Sequence, residues 1–163
     1  MGFERISKDT WKNYNKSRDT FYIPELTDEN YNRIAKPMRS TTKSAGYDFR
    51  LPFTMEIKAG DRVVVPTGVK WNPNNHDEVL LLYPRSSLGF KYGFTLLNTV
   101  GVIDADYYNN PDNEGHILIA FKTEKDMNLN LGEKFCQGII TKFIVTDDDE
   151  AGGTRIGGIG STN

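Results

Sequence analysis

The apolar residues of this chain fall in runs of strand length. Met55 to Ile57, Arg62 to Val65, Val79 to Tyr83, Phe94 to Leu97, Ile117 to Phe121 and Phe135 to Val145 are rich in Val, Ile, Leu, Phe and Tyr, and Gly, Pro, Asn or Asp stand between them. Lys58-Ala59-Gly60-Asp61 and Leu131-Gly132-Glu133 each carry a glycine where the chain must reverse tightly between strands. The pattern predicts an all-β sandwich, jelly roll or barrel. At 163 residues the expectation is a single domain spanning 1–163, and a chain of that length buries about 70% of its unfolded surface without disulfide or metal staples.

The first 40 residues break the pattern, because Trp11, Tyr14, Phe21, Tyr22 and Tyr31 are scattered among Lys, Asn and Asp with no period of two. One short helix is expected there. Thr27 is an acceptable N-cap for a stretch through Ala35, Asp28 and Glu29 suit the positive end of its dipole, and Pro37 closes it. At the other end, the acidic run Asp147 to Glu150 reads as a solvated loop, and the Gly-rich tail after it reads as a mobile arm over about 151–163.

Twenty Lys and Arg against 22 Asp and Glu give a net charge of -2, which leaves no excess of positive charge for a polyanion and argues against a nucleic-acid partner. The only cysteine, Cys136, has no intrachain partner, and no apolar run approaches the roughly 20 residues that span a bilayer. With no signal-like stretch at Met1 to Ser7, a cytoplasmic protein without a membrane association is expected. The sequon Asn15-Lys16-Ser17 then carries no glycan.

Polar residues that interrupt apolar, turn-flanked runs are the places to look for chemistry. Arg85-Ser86-Ser87, following the run Val79 to Tyr83, presents a guanidinium and two hydroxyls at a strand end; it suits phosphate oxygens, and it equally suits a capped turn. The tail offers Arg155, the amides of Gly157, Gly158 and Gly160, and the hydroxyls of Ser161 and Thr162; it is either a second phosphate-binding group or a flexible end. It is not a P-loop, since no Lys precedes Ser161-Thr162. Asp104 and Asp106 point to one side if their stretch is extended, where two carboxylates can bind a metal or activate water; an Asp-containing turn fits as well. His76 and His116 are the only histidines, so neither a zinc cluster nor a Ser-His-Asp triad is expected, and both read as structural or exposed.

Ala45-Gly46-Tyr47-Asp48, Pro84 to Gly89, Gly101-Val102-Ile103-Asp104-Ala105-Asp106-Tyr107, Gln137 and Arg155 to Asn163, taken together and in this order, resemble the five motifs of the homotrimeric dUTPase family, of a phage or Firmicute type. The resemblance runs from about Ala35 to Thr162. It implies a jelly-roll (β-clip) subunit that hydrolyses dUTP to dUMP and pyrophosphate, with three sites at the interfaces of a homotrimer. It also implies roles. Asp104 would activate the attacking water, with Asp48 supporting the site and the water shell of a Mg²⁺ carried by the substrate triphosphate rather than by direct protein ligands. Tyr107 would pack under deoxyribose, and Asn98 with the surrounding hairpin, including Gly101 and Ile103, would read uracil. Arg85, Ser86, Ser87 and Gln137 would bind phosphate, and Arg155, Gly160, Ser161 and Thr162 would close over it.

The chain departs from the family's pattern in five places, one of them in Arg155-Ile156-Gly157-Gly158-Ile159, which is one residue shorter than usual between Arg and the glycine pair. Tyr108-Asn109-Asn110 and a Pro-Asp-Asn-Glu extension replace the usual Arg-Gly-Glu, implying a longer surface loop. About 8–32 reads as an N-terminal insertion, a possible docking segment for a protein partner. Asn163 replaces the family's final glycine. Ile159 stands where an aromatic ring usually covers uracil, and Tyr92 is the alternative lid: if Phe90 to Phe94 is extended, Phe90, Tyr92 and Phe94 share a side, and Gly93 is the hinge. Two rival readings remain. One is a dCTP deaminase-like enzyme, whose proton-carrying glutamate is replaced here by Tyr108; the other is a dUTPase-fold protein acting as a partner-binding regulator.

Overall fold

The computed structural model describes residues 1–14, 25–155 and 157. Twelve strands dominate them: β1 Gly2–Arg5, β2 Met38–Arg39, β3 Tyr47–Arg50, β4 Met55–Ile57, β5 Arg62–Pro66, β6 Val69–Asn72, β7 Glu78–Pro84, β8 Thr95–Leu96, β9 Gly101–Asp104, β10 Leu118–Lys122, β11 Met127–Leu129 and β12 Lys134–Lys142. Every pairing is antiparallel. The largest sheet has the order β2-β3-β12-β7-β9; a second has the order β5-β10-β8, and β1-β6 and β4-β11 form two-stranded ribbons. The architecture is the expected all-β jelly roll.

The two glycine turns form as expected, with Gly60 and Gly132 at φ +86° and +77°. They join strands of different sheets, since β4 pairs with β11 while β5 pairs with β10. They are therefore corners of the jelly roll, and the reversal carries the chain from one layer to the next. Phe49, Leu80, Leu82, Phe94, Phe121 and Phe135 fill the space between layers, with Phe94 stacked on Phe121 at 4.3 Å.

The N-terminal helix forms but is shorter than expected. In α2, Asp28–Asn32, Thr27 and Asn30 make a reciprocal capping box, and Arg33 takes the C-cap. The chain leaves the helix there because Ile34 turns into the core, where it is 1% exposed. A second helix, α1 Lys8–Asn13, was not expected. Ser7 caps it, and Trp11 is fully buried with its indole N–H on the Thr27 carbonyl at 3.1 Å, so both helices pack onto the β core through one ring. A third, α3 Ser86–Tyr92, follows β7 directly.

Candidate functional site

The largest sheet places the sequence-predicted residues in two groups, with Arg85 and Asp104 toward opposite ends of β7 and Gly101, opposite Leu82, between them. At one end, Asp48 on β3, Gln137 on β12 and Tyr83 on β7 lie in one register row. Arg85 and Ser86 follow at the start of α3. Asp48, Gln137, Arg85 and Ser86 line one depression together with Ser40, Ser44 and Gly46. Ser40 donates to Asp48 Oδ2 at 2.6 Å, Lys134 Nζ lies 2.7 Å from the same oxygen, and Arg85 Nε is 3.6 Å from Oδ1. Burial pushes the Asp48 carboxyl upward. The hydrogen bonds from Lys134 and Ser40, with the charges of Lys134 and Arg85, outweigh that and hold it below the ordinary carboxylate value. Gln137 Nε2 donates to the Pro84 carbonyl at 3.3 Å, which fixes its amide beside Arg85. Ser87 is exposed on α3 and does not line this depression.

At the other end, β9 runs into a 3-10 turn, Ala105–Tyr107. Asn98, Gly101, Ile103, Asp104 and Tyr107 line a cavity of about 230 Å³, with Arg155 at its mouth. Asp104 and Asp106 do face one side, but through the turn rather than through an extended strand. Arg155 Nη2 donates to Asp104 Oδ2 at 2.6 Å, Arg155 Nε to Asp106 Oδ1 at 2.8 Å, and the guanidinium lies 5.7 Å from the centre of the Tyr107 ring. The segment around Asn98 is a corner and not a paired hairpin: β8 pairs with β10 in one sheet, and β9 pairs with β7 in another. Thr99, at φ +66°, makes the bend, and the Val100 N–H closes on the Asn98 carbonyl at 2.7 Å.

Register measures the separation of the groups. Asp104 lies opposite Val79, whereas Arg85 comes six residues further along the same line of chain, about 20 Å away at 3.3 Å per strand residue. One chain therefore does not bring Asp104 to Arg85.

The lid geometry built on alternation is overturned. Residues 86 to 92 are helical, so Phe90 and Tyr92 point about 200° apart around the axis. Gly93 is not a hinge: at φ +65° it is the left-handed C-cap of α3, and a Cβ there would sit 2.6 Å from Glu124. Tyr92 is partly buried against the core, with Lys91 Nζ 4.9 Å from its ring, and lines neither group. Phe90, 92% exposed, is the ring beside Arg85 and Ser86. Phe94 is core, as expected. Ile159, Gly160, Ser161 and Thr162, like the sequon Asn15-Lys16-Ser17, lie outside the described residues.

The sequence reading missed Ser40 and Lys134, which fix Asp48, because neither lies in a recognisable motif. The surface loop expected over Tyr108 to Glu114 is exposed at Asn109, Pro111 and Asp112 but turns Asn110 inward, where it is 4% exposed, and it leads into His116, which is fully buried with Nε2 accepting from the Gly68 N–H at 2.9 Å. His76 is exposed, and Asp147 to Glu150 are solvated, as expected. Among the described residues no group of three or more His, Cys, Asp and Glu is placed to hold a metal ion, and no helix is long and apolar enough to cross a membrane.

The dUTPase family model matches residues 32–152. The chain belongs to the dUTPase family. It is 45% identical over 130 residues to the deoxyuridine 5'-triphosphate nucleotidohydrolase of Lactococcus lactis subsp. lactis, an alignment that covers 77% of this chain and 86% of the relative. The crystal structure of dUTPase from Streptococcus mutans superposes with a TM-score of 0.67 at 42% identity, covering 90% of this chain and 99% of that one. The dUTPase of phage phi11 of S. aureus, described with a structural Mg(II) ion, shares the fold with a TM-score of 0.61 at 20% identity over 73% of this chain and 90% of that one.

Proposed function

We propose that this chain is a dUTP diphosphatase that works as a homotrimer, each active site being built from the Asp104 group of one subunit and the Arg85 group of another. The observation that carries this reading is the separation of about 20 Å along one sheet between Asp104 and Arg85. The Asp104 group has a carboxylate, an amide and a ring but only Arg155 for charge. The Arg85 group has the cation, hydroxyl and amide that phosphate oxygens need.

In the completed site Asn98 and the corner 98–101 hold the base, and Tyr107 packs under the sugar. Arg85, Ser86 and Gln137 take the phosphates, while Arg155 leaves Asp104 and Asp106 for the outer ones, with Gly160, Ser161 and Thr162 closing over them. Asp104 accepts a proton from water as its oxygen bonds to the α-phosphorus. The bond from that phosphorus to the bridging oxygen breaks, and dUMP and pyrophosphate leave. A Mg²⁺ bound to the triphosphate would supply positive charge to its oxygens. Asp48 fits a role toward such an ion's water shell: its oxygens are already occupied by Lys134, Ser40 and Arg85, an arrangement suited to accepting hydrogen bonds and not to direct coordination.

The deaminase reading gains nothing from the structure. Tyr108 donates its hydroxyl to Glu4 on β1 at 2.9 Å and faces away from the cavity. The test is pyrophosphate release from dUTP, UTP, dCTP and dTTP side by side. Release from dUTP alone is expected; ammonia from dCTP, or equal hydrolysis of all four, overturns the assignment.

A further inference from the structure

The 108–116 segment ends on the Tyr107 ring, and its hydrogen bonds form one directed chain. Asn113 Oδ1 accepts from the Gly115 N–H at 3.1 Å and from Asn110 Nδ2 at 2.8 Å. A backbone N–H can only donate, so this contact fixes which end of the Asn113 amide is oxygen. The other end is then the amine, which donates to the Tyr107 hydroxyl at 2.8 Å. With that lone pair occupied, the hydroxyl turns its own proton to the His116 carbonyl at 2.9 Å. Asn110 Nδ2 also donates to the Tyr107 carbonyl at 2.9 Å, so the residue is held at both its backbone and its ring tip.

The segment is itself anchored. Glu114 accepts hydrogen bonds from the Ser7 N–H, the Ser7 hydroxyl and the Thr10 hydroxyl of α1, with Lys70 Nζ 3.5 Å away. The N-terminal insertion is thereby tied to the ring that faces the cavity.

We propose that Asn113 is a positioning residue for sugar selection: by holding the Tyr107 hydroxyl it fixes the tilt of the ring that excludes a 2′-hydroxyl. The inference rests on the reading that Tyr107 packs under deoxyribose. Rejection of one extra hydroxyl by shape requires a wall that does not yield, and a ring anchored only at Cβ swings about χ1 and χ2. Two hydrogen bonds at its far end remove that freedom. The Arg155 guanidinium over one face adds a further restraint, but one that leaves with the arm.

Asn113→Asp is the clean variant. It keeps the oxygen that Asn110 and Gly115 use, and it replaces the amine with a second acceptor facing the tyrosine hydroxyl. The ratio of kcat/KM for dUTP over UTP should fall about ten-fold, while kcat for dUTP stays within about three-fold. Tyr107→Phe, which keeps the ring and removes its anchor, should narrow the ratio to a similar degree, and adding Asn113→Asp to it should narrow the ratio no further. Should Asn113→Asp not fold, Tyr107→Phe decides alone. Tyr107→Ala checks the underlying reading and should narrow the ratio more than any of these. If Tyr107→Ala does so while Asn113→Asp and Tyr107→Phe keep the unsubstituted ratio, the positioning role is wrong. If Tyr107→Ala itself leaves the ratio unchanged, the ring is not the selector and the inference falls with that reading.

Discussion

Two ionisable side chains in the segment that follows Tyr107, the buried His116 and the partly buried Glu114, make stability depend on pH. Burial drives the His116 imidazole from 6.5 down to about 3, against a small opposing pull from Glu114. The unfolded chain takes up a proton there below pH about 6.5 and the folded chain does not, so stability falls as pH drops from 6.5 toward 3 and levels off below. Burial acts in the opposite direction on Glu114 and pushes its carboxyl upward, but the hydrogen bonds from Ser7 and Thr10 and the charge of Lys70 outweigh this and bring it to about 2 from 4.5. Its contribution is present above pH 4.5 and is lost as pH falls toward 2. Urea unfolding at pH 7.5 and 5 should therefore show a loss on the order of 1–2 kcal/mol, before most carboxylates titrate. His116→Gln, whose amide oxygen can still accept from Gly68, should flatten that interval; an equally steep loss in the variant would place the proton elsewhere. Neither environment was legible in the sequence. His116 reads as one of two isolated histidines and Glu114 as part of a polar loop, because their partners Gly68, Ser7 and Thr10 are far away along the chain. Asn98, Asp104 and Tyr107 stood out because they lie close together in sequence within a motif-like stretch, whereas Leu82, Leu118 to Ala120 and Arg155, which line the same cavity, come from distant parts of the chain.

Among the elements, the strands that the sequence shows most clearly are those buried in the sheets. Met55–Ile57 is matched to the residue, and Val79 to Tyr83 gains only one residue at each end in β7. The run Phe135 to Val145 is too long as a strand. Pairing stops at Lys142, and Phe143, Ile144 and Val145 are exposed, so apolar character there does not signal burial in this chain. The strands β1, β6, β9 and β11 are three or four residues each, too short for alternation to rise above chance. The helix α3 was hidden for a different reason: only Leu88 of its seven residues is buried, so it has no apolar stripe, and what ends it is the backbone conformation of one glycine. That conformation can be tested. Gly93→Ala puts a Cβ in the left-handed region and against Glu124, and should cost about 1–2 kcal/mol in urea unfolding while leaving the m-value unchanged. Because α3 starts at Arg85, loosening its far end should also raise KM for dUTP more than it lowers kcat. A neutral Gly93→Ala would mean that the helix does not depend on that cap.

At the scale of the whole molecule, the sheet acts as a spacer. Its β7 strand carries Arg85 off one end and pairs with Asp104 near the other, and rigid pairing with β12 along its entire length keeps those ends apart. A chain with this geometry cannot close a site on itself by side-chain motion, since no rotamer change spans about 20 Å. In the proposed assembly, association of copies brings those ends together, and it has a consequence that a self-contained site lacks. Asp104→Asn and Arg85→Ala should each abolish pyrophosphate release when assembled alone, the first through loss of the base and the second through loss of a phosphate-binding cation. Mixed in equal amounts, unfolded and refolded together, the two variants should regain activity. Wherever the Asp104 of one subunit meets the Arg85 of another, a quarter of random pairings combine two intact halves, so about a quarter of the unsubstituted rate is expected. Mixing the folded variants without unfolding should restore activity only as fast as subunits exchange. If the co-refolded mixture is as inactive as its components, both halves of each site come from one chain, and the intersubunit arrangement is wrong.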